Sequence, residues 1–234
     1  MQSLQALWEQ FRDPDARYRG KPFWSWNGEL DESELLRQIH VMKEMGLGGF
    51  FMHSRTGLVT EYLGDAWFQL TNACADEAER LGMEAWLYDE DRWPSGTAGG
   101  MVTENPAYRS RFLSLRRIPA AEFVWTDGLV AAFLCDLDGL AYTHCEQIGP
   151  HTTVSGGQNR TVLAFTVEEM APSSFYNGYT YVDTLSREAT DEFLRRTHEK
   201  YQERCGNRIG RTIRGIFTDE PHRGAVMTGF GLPN

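Results

Sequence analysis

The chain has 234 residues, 41% hydrophobic and 12% aromatic, with 33 acidic against 23 basic side chains and a formal net charge of -10. That length builds one large domain or two small ones around a sizeable core, and charged residues at 24% beside an ordinary apolar fraction exclude intrinsic disorder. The acidic balance argues against nucleic acid as a partner, because phosphate binding is supplied mainly by Lys and Arg.

Residues 1–20 read as a polar lead-in with one amphipathic turn around Leu4, Leu7, Trp8 and Phe11. Pro22 to Trp26 is the first predicted strand, ended by the turn signal Asn27-Gly28. Asp31 is an N-cap with Glu34 in capping-box spacing. Leu35, Ile39, Met42 and Met45 then form a helical stripe that Gly46 stops. Gly49 to His53 is an apolar run expected of a buried parallel strand. After a loop to Gly64, Asp65 is the N-cap expected for a helix carrying Trp67, Leu70, Cys74, Ala78 and Leu81. Glu84 to Tyr88 is the third strand, and the alternation to this point predicts a parallel α/β protein.

The rhythm then changes. Asp89 to Pro106 is a loop rich in Gly, Pro and charge, and residues 107–171 read as a β-rich insertion with strands at Arg111–Leu115, Leu129–Leu134 and Thr161–Val167. From residue 172 the helical pattern returns. Ser186 caps a stripe of Phe193, Leu194, Thr197, Tyr201 and Cys205, and Arg214 to Thr218 is a strand running into Asp219-Glu220-Pro221. A complete eight-unit barrel takes about 250 residues; without the insertion and lead-in, roughly 150 remain here. The expected fold is therefore a partial (β/α)8 TIM-type barrel of about four βα units. Residues 1–106 form its first segment, 107–171 a small antiparallel β insertion after the third strand, and 172–234 its continuation, ending before the barrel closes.

No apolar run approaches the roughly 20 residues of a membrane helix, and no signal peptide is visible at Met1 to Gln5, so a membrane partner is not expected and the expected compartment is cytoplasmic. The four cysteines, Cys74, Cys135, Cys145 and Cys205, show neither C-x-x-C nor zinc-ligand spacing. Cys135 and Cys145 stand where a hairpin would oppose them, but the reading favours reduced thiols.

Ligands of parallel α/β folds bind at the carboxyl ends of the strands. Read together, those ends are Trp24-Ser25-Trp26-Asn27, His53-Ser54-Arg55, Tyr88-Asp89-Glu90-Asp91-Arg92-Trp93, and Asp219-Glu220-Pro221-His222. Aromatic faces that stack on sugar rings, with Asp, Asn, Arg and His for hydroxyls, match a carbohydrate site. Carboxylates supply acid and base for glycosidic bonds. Each residue also has a structural reading: Trp24 and Trp26 as core, His53 as a hydrogen-bonded core histidine, Asp89 to Arg92 as a solvated loop, Glu220 as an acid at a helix N-terminus. His40, His144, His151 and His198 receive no role. There is no G-x-S-x-G elbow, phosphate loop or H-E-x-x-H helix, and no metal-ligand set is assigned.

Pro22-Phe23-Trp24-Ser25-Trp26-Asn27-Gly28, Gly48-Gly49-Phe50, Trp86-Leu87-Tyr88-Asp89-Glu90 with Trp93-Pro94-Ser95-Gly96, Tyr181 to Leu185, and Phe217-Thr218-Asp219-Glu220-Pro221 together resemble the N-terminal barrel half of α-L-rhamnosidases of glycoside hydrolase family 106. The resemblance runs from about residue 20 to the end. It implies inverting hydrolysis by two glutamates in a (β/α)8 barrel, with a calcium ion helping to hold the sugar, although the sequence itself requires no cofactor. Glu220 matches the position of the catalytic acid, its pKa raised by partial burial; the partner base belongs to a later strand, so a C-terminal half or a second subunit is an expected partner. Trp26, Asn27, His53, Tyr88, Asp89, Glu90, Trp93, Asp219 and His222 are the expected sugar-site residues. Two alternatives stand beside a glycosidase of α-L-rhamnosides: a non-catalytic carbohydrate-binding relic, and a metal-assisted barrel enzyme acting on another sugar.

Overall fold

The computed structural model describes residues 3–155, 157 and 159–223. In chain order the elements are α1 (Leu4–Arg12), β1 (Phe23–Gly28), α2 (Glu32–Glu44), β2 (Gly49–Leu58), α3 (Asp65–Arg80), β3 (Glu84–Tyr88), β4 (Arg111–Pro119), β5 (Leu129–Asp138), β6 (Ala141–Ile148), β7 (Arg160–Glu169), α4 (Arg187–Arg196), α5 (His198–Cys205) and β8 (Ile213–Phe217). The chain divides into two units. One runs up to Tyr108 and resumes over Ser173–Arg223; the other is Arg109–Pro172. The fold is thus mixed α/β, with one parallel and one antiparallel sheet. Among the described residues no helix is long and apolar enough to cross a membrane.

The first unit holds a four-stranded parallel sheet in the order β1-β2-β3-β8. Its strands bury one face against the helices, while the other face carries aromatic residues that stay partly exposed, Phe23 by 53%. One face packs on the helices: Trp24, Trp26, Phe50, Met52, Ala85, Leu87 and Ile213 meet Ile39, Trp67, Phe68, Ala75, Ala78 and Tyr201 in one core. Trp67 and Tyr201 keep their polar ends satisfied there, the indole N–H donating to the phenol oxygen at 3.0 Å.

The opposite face carries a second aromatic set, and its geometry reports the curvature of the sheet. In a flat sheet β1 and β8 would lie about 14 Å apart, three strand spacings. Yet the rings of Phe23 and Phe217, on those outer strands, are 4.8 Å apart between centroids. Phe51 of β2 touches both, at 5.2 and 5.9 Å. The sheet therefore curls, and its inward side chains converge.

Several elements differ locally from the sequence reading. Asp31 caps α2 as expected, accepting from the Glu34 amide at 2.9 Å, but α3 is capped by Gly64, with Asp65 its first residue. Met45 lies beyond the α2 stripe and is exposed. The strand expected to end at His53 continues to Leu58, which pairs with Gly28. The single helix expected after Ser186 breaks into α4 and α5 at Thr197, whose hydroxyl donates back to the Phe193 carbonyl at 2.7 Å.

The second unit is an antiparallel sheet in the order β4-β7-β5-β6, with a small core of Ala120, Ala132, Leu134, Ile148, Val162 and Ala164. The sequence reading found three of its strands and missed β6, whose residues are exposed apart from Ile148 and so lack an apolar signature. It also favoured free thiols at Cys135 and Cys145. The structure corrects this: the β5–β6 register sets the two residues directly opposite each other, and they are disulfide-bonded.

The pair Gly48-Gly49 has a steric cause. A Cβ on Gly48 would strike the Ala16 carbonyl, and one on Gly49 the Glu84 carbonyl of the neighbouring strand; both obstacles are backbone. We expect Gly49→Ala to destabilise the chain by about 2–4 kcal/mol in urea unfolding, whereas Gly128→Ala, which meets nothing within 4 Å, changes little. Equal stability of the two variants would refute the close-approach account.

Candidate active site

The middle of β2 at His53, the carboxyl ends of β3 and β8, and the loop after β3 bring most of the sequence-predicted residues together. Tyr88, the last residue of β3, is paired with Phe217 of β8. This register brings Tyr88 and Asp219 onto the concave face beside His53. The His53 and Tyr88 rings are stacked, 3.7 Å apart and inclined by 12°. Tyr88 Oη donates to Asp219 Oδ2 at 3.5 Å, and His53 Nε2 lies 4.0 Å from the same oxygen.

His53 is buried, and that burial, helped by the charge of Arg55, lowers its pKa to about 4 against the pull of the Ser54 carbonyl. It is neutral at pH 7. Asp219 is shifted the other way, upward, first by burial and then by the negative charge of Glu220; the Tyr88 hydroxyl and Arg55 oppose the shift.

Asp89 and Glu90 point elsewhere and are fully buried. Asp89 accepts from Ser95 Oγ and Thr218 Oγ1, both at 2.6 Å, and His198 Nε2 stands 3.7 Å away. Burial raises the Asp89 pKa; the two hydroxyls and His198 work against it. Ser95 passes the constraint onward, because Asp219 N–H donates to its Oγ and its own N–H donates to the Asp219 carbonyl, each at 2.9 Å.

Glu90 is a hub. Its carboxylate accepts from the amides of Asp91, Gly96, Thr97, Ala98 and Gly99 and from the Thr97 hydroxyl. Burial pushes its pKa up to about 7, while the amides of Gly99, Asp91, Thr97 and Ala98 pull it back. Its role is to fold the loop after β3.

The outer layer is more open. Trp93 is half-buried, and its indole N–H donates to Glu220 Oε2 at 3.1 Å. Glu220 is exposed, not partly buried as expected, and its backbone sits in the left-handed region at φ 43°. For a residue other than glycine that conformation costs about 1–3 kcal/mol and is held by its surroundings. Here the Ser95–Asp219 pair holds it on one side. His222 stacks on Tyr181 at 4.4 Å, with its own N–H donating to the Tyr181 hydroxyl at 3.2 Å.

Two expected site residues are placed apart. Trp26 is 1% exposed, wedged against Trp24 and Trp67 in the helix-side core, because its strand position puts it on the face opposite His53. Asn27 is exposed beyond an irregularity in the β1–β2 register and shares no hydrogen bond with the other site residues among those described. Glu90 and Asp89, enclosed by protein donors, position the site but do not line it. His198 was missed. Its signal was its spacing, three residues before Tyr201 and seven before Cys205, on the buried face of α5.

A calcium site would need several oxygen ligands. Glu90 is spent on amides, Asp91 on Asn177 and Arg92, and among the described residues no three His, Cys, Asp or Glu side chains converge as ligands. The described residues therefore do not fit the ion.

Two substitutions test this account. Glu90→Gln turns an NH2 donor toward other donors and is expected to cost about 2–4 kcal/mol in unfolding free energy, with faster amide exchange at Gly96 to Gly99. Wild-type exchange in that variant would remove Glu90 as the organiser. For His53 the pKa is depressed, so the unfolded chain binds the proton more tightly and stability is lost as pH falls from about 6.5 toward about 4. The stability advantage of wild type over His53→Gln should shrink by about 3 kcal/mol across that window; a pH-independent difference would contradict it.

No protein-family model matches this chain, and no curated protein matches it. Among solved structures, a rhamnosidase from Novosphingobium sp. PP1Y shares the fold with a TM-score of 0.54 at 14% identity, over 96% of this chain. The chain spans 40% of that protein's length. At that identity the likeness is one of fold.

Proposed function

We propose that the chain carries part of the catalytic domain of a glycoside hydrolase acting on α-L-rhamnosides. In this reading the curled parallel sheet is a four-strand sector of a (β/α)8 barrel, formed by residues 1–106 and 172–234, and residues 107–171 are an insertion. The observation that carries it is the arrangement of the strand ends. A half-buried Asp219, a buried neutral His53 and an exposed Glu220 held by Trp93 stand on the same edge, in a fold shared with a rhamnosidase. Carboxylates beside aromatic and hydroxyl-binding groups are the chemistry of glycosidic cleavage.

Glu220 acts as the general acid, protonating the leaving-group oxygen while the bond to the anomeric carbon breaks. Its left-handed backbone, clamped through Asp219 and Ser95 to Asp89, fixes where the proton is delivered. Trp93 orients the carboxyl and offers a ring face. In an inverting mechanism the base lies roughly 6.5–9.5 Å from the acid and activates water on the other side of the ring. Glu90 is enclosed by amides and Asp219 adjoins Glu220 in sequence. In this reading the base is supplied by a carboxylate of further chain or of a second subunit.

The exposure of Glu220 and the enclosure of Glu90 favour a second reading, a sugar-binding barrel segment without turnover. Release of L-rhamnose from an aryl α-L-rhamnoside separates them. With the base supplied, Glu220→Gln is expected to lower kcat by about 100-fold or more and to leave the Tm nearly unchanged. Undiminished turnover in the variant removes Glu220 from the chemistry; saccharide binding with no turnover by the wild type favours the second reading.

A further inference from the structure

The contact between His53 and Asp219 is too long for a hydrogen bond and too short to be unrelated. His53 Nε2 and Asp219 Oδ2 are 4.0 Å apart. The other ring nitrogen, Nδ1, lies 2.9 Å from the Ser54 carbonyl. A carbonyl oxygen only accepts, so Nδ1 carries the hydrogen, and in the neutral ring Nε2 is left as a bare acceptor. The stacked Tyr88 ring and the edge contact with Phe23 at 5.0 Å fix the ring plane, so this acceptor is aimed and held. Tyr88 Oη, from the neighbouring strand, donates to Asp219 and occupies part of its capacity. Arg55 and Glu220 are the other charges acting on this pair.

Two acceptors at that separation, one on a buried ring and one on a half-buried carboxylate, call for O–H donors between them. We infer that His53 Nε2 and Asp219 Oδ2 form a hydroxyl-receiving subsite, filled by a water in the free chain and by adjacent hydroxyls of a sugar in the complex. A water donates one hydrogen to each acceptor. A vicinal diol does the same with one hydrogen from each of its hydroxyls, whereas an ether oxygen offers neither. The subsite thus selects for free hydroxyl pairs, since a ligand without them leaves both acceptors desolvated and unpaired. The inference relies on the proposed function only for the identity of the sugar; the ring tautomer is independent of it.

The test uses the 15N-labelled chain, with the His53 signals assigned by their loss in His53→Gln. Long-range proton–nitrogen spectra between pH 6 and 8 should show Nδ1 protonated and Nε2 bare. Methyl α-L-rhamnoside should shift Nε2, its fully O-methylated form should not, and Asp219→Asn should weaken the response at least about tenfold, the cost of one hydrogen bond to a charged group. A hydrogen on Nε2, or an imidazolium at neutral pH, overturns the inference whatever the sugar does. If the glycoside moves the Trp93 indole signal but not His53 Nε2, the subsite is wrong and the sugar reading stands. If neither moves, both fall.

Discussion

A carboxylate that has left water needs hydrogen-bond donors in its place, and the functional edge of this protein is organised by one that finds them in its own loop. Glu90 gathers five backbone amides and a hydroxyl from residues 91–99, so a loop segment closes around a buried carboxylate instead of an apolar core of its own. That closure fixes Ser95. Ser95 ties Asp89 to Asp219, and Asp219 leads directly into the strained backbone of Glu220. Two neighbouring acids, each buried, thereby set the position of two others that remain accessible. Such an arrangement is stable only while every member is satisfied, because an orphaned buried charge costs several kcal/mol.

The curled sheet supplies the other constraint. Aromatic residues on its helix side, Trp24, Trp26 and Trp67, make an ordinary core. On the concave side Phe23, Phe51 and Phe217 converge beneath His53 and Tyr88. This floor lowers the local dielectric, which is why His53 stays neutral and Asp219 holds its proton more tightly than a solvated carboxyl. The same geometry that packs the strands sets the electrostatics of the edge.

Much of the fold was legible in the residues. Alternating strand and helix patterns located the parallel strands, and Asp31, Ser186 and the glycines after the helices marked ends, because capping and left-handed turns are local physics. The insertion strand β6 was not legible, since exposed edge strands need no apolar alternation. Nor was the break at Thr197, which depends on a side chain choosing the helix's own carbonyl over a neighbour. The disulfide was legible only as an opposition whose outcome the hairpin register decided.

The candidate site divides along the same line. Sequence order alone placed Tyr88, Trp93, Asp219, Glu220 and His222 near strand ends, because strand direction and loop position follow from short-range pattern; His53, expected at a strand end, lies within β2. It did not say which face each would take. Trp26 went to the core and Tyr88 to the concave face because side chains alternate across a sheet, and which face is interior is settled only when helices cover one side. Glu90 became a scaffold, and His198 a neighbour of Asp89, through contacts between segments far apart in the chain. The sequence by itself determined which chemical groups arrive at this edge; the tertiary structure alone decided which of them are enclosed by donors and which are left facing outward, since desolvation belongs to the assembled surroundings and to no residue alone.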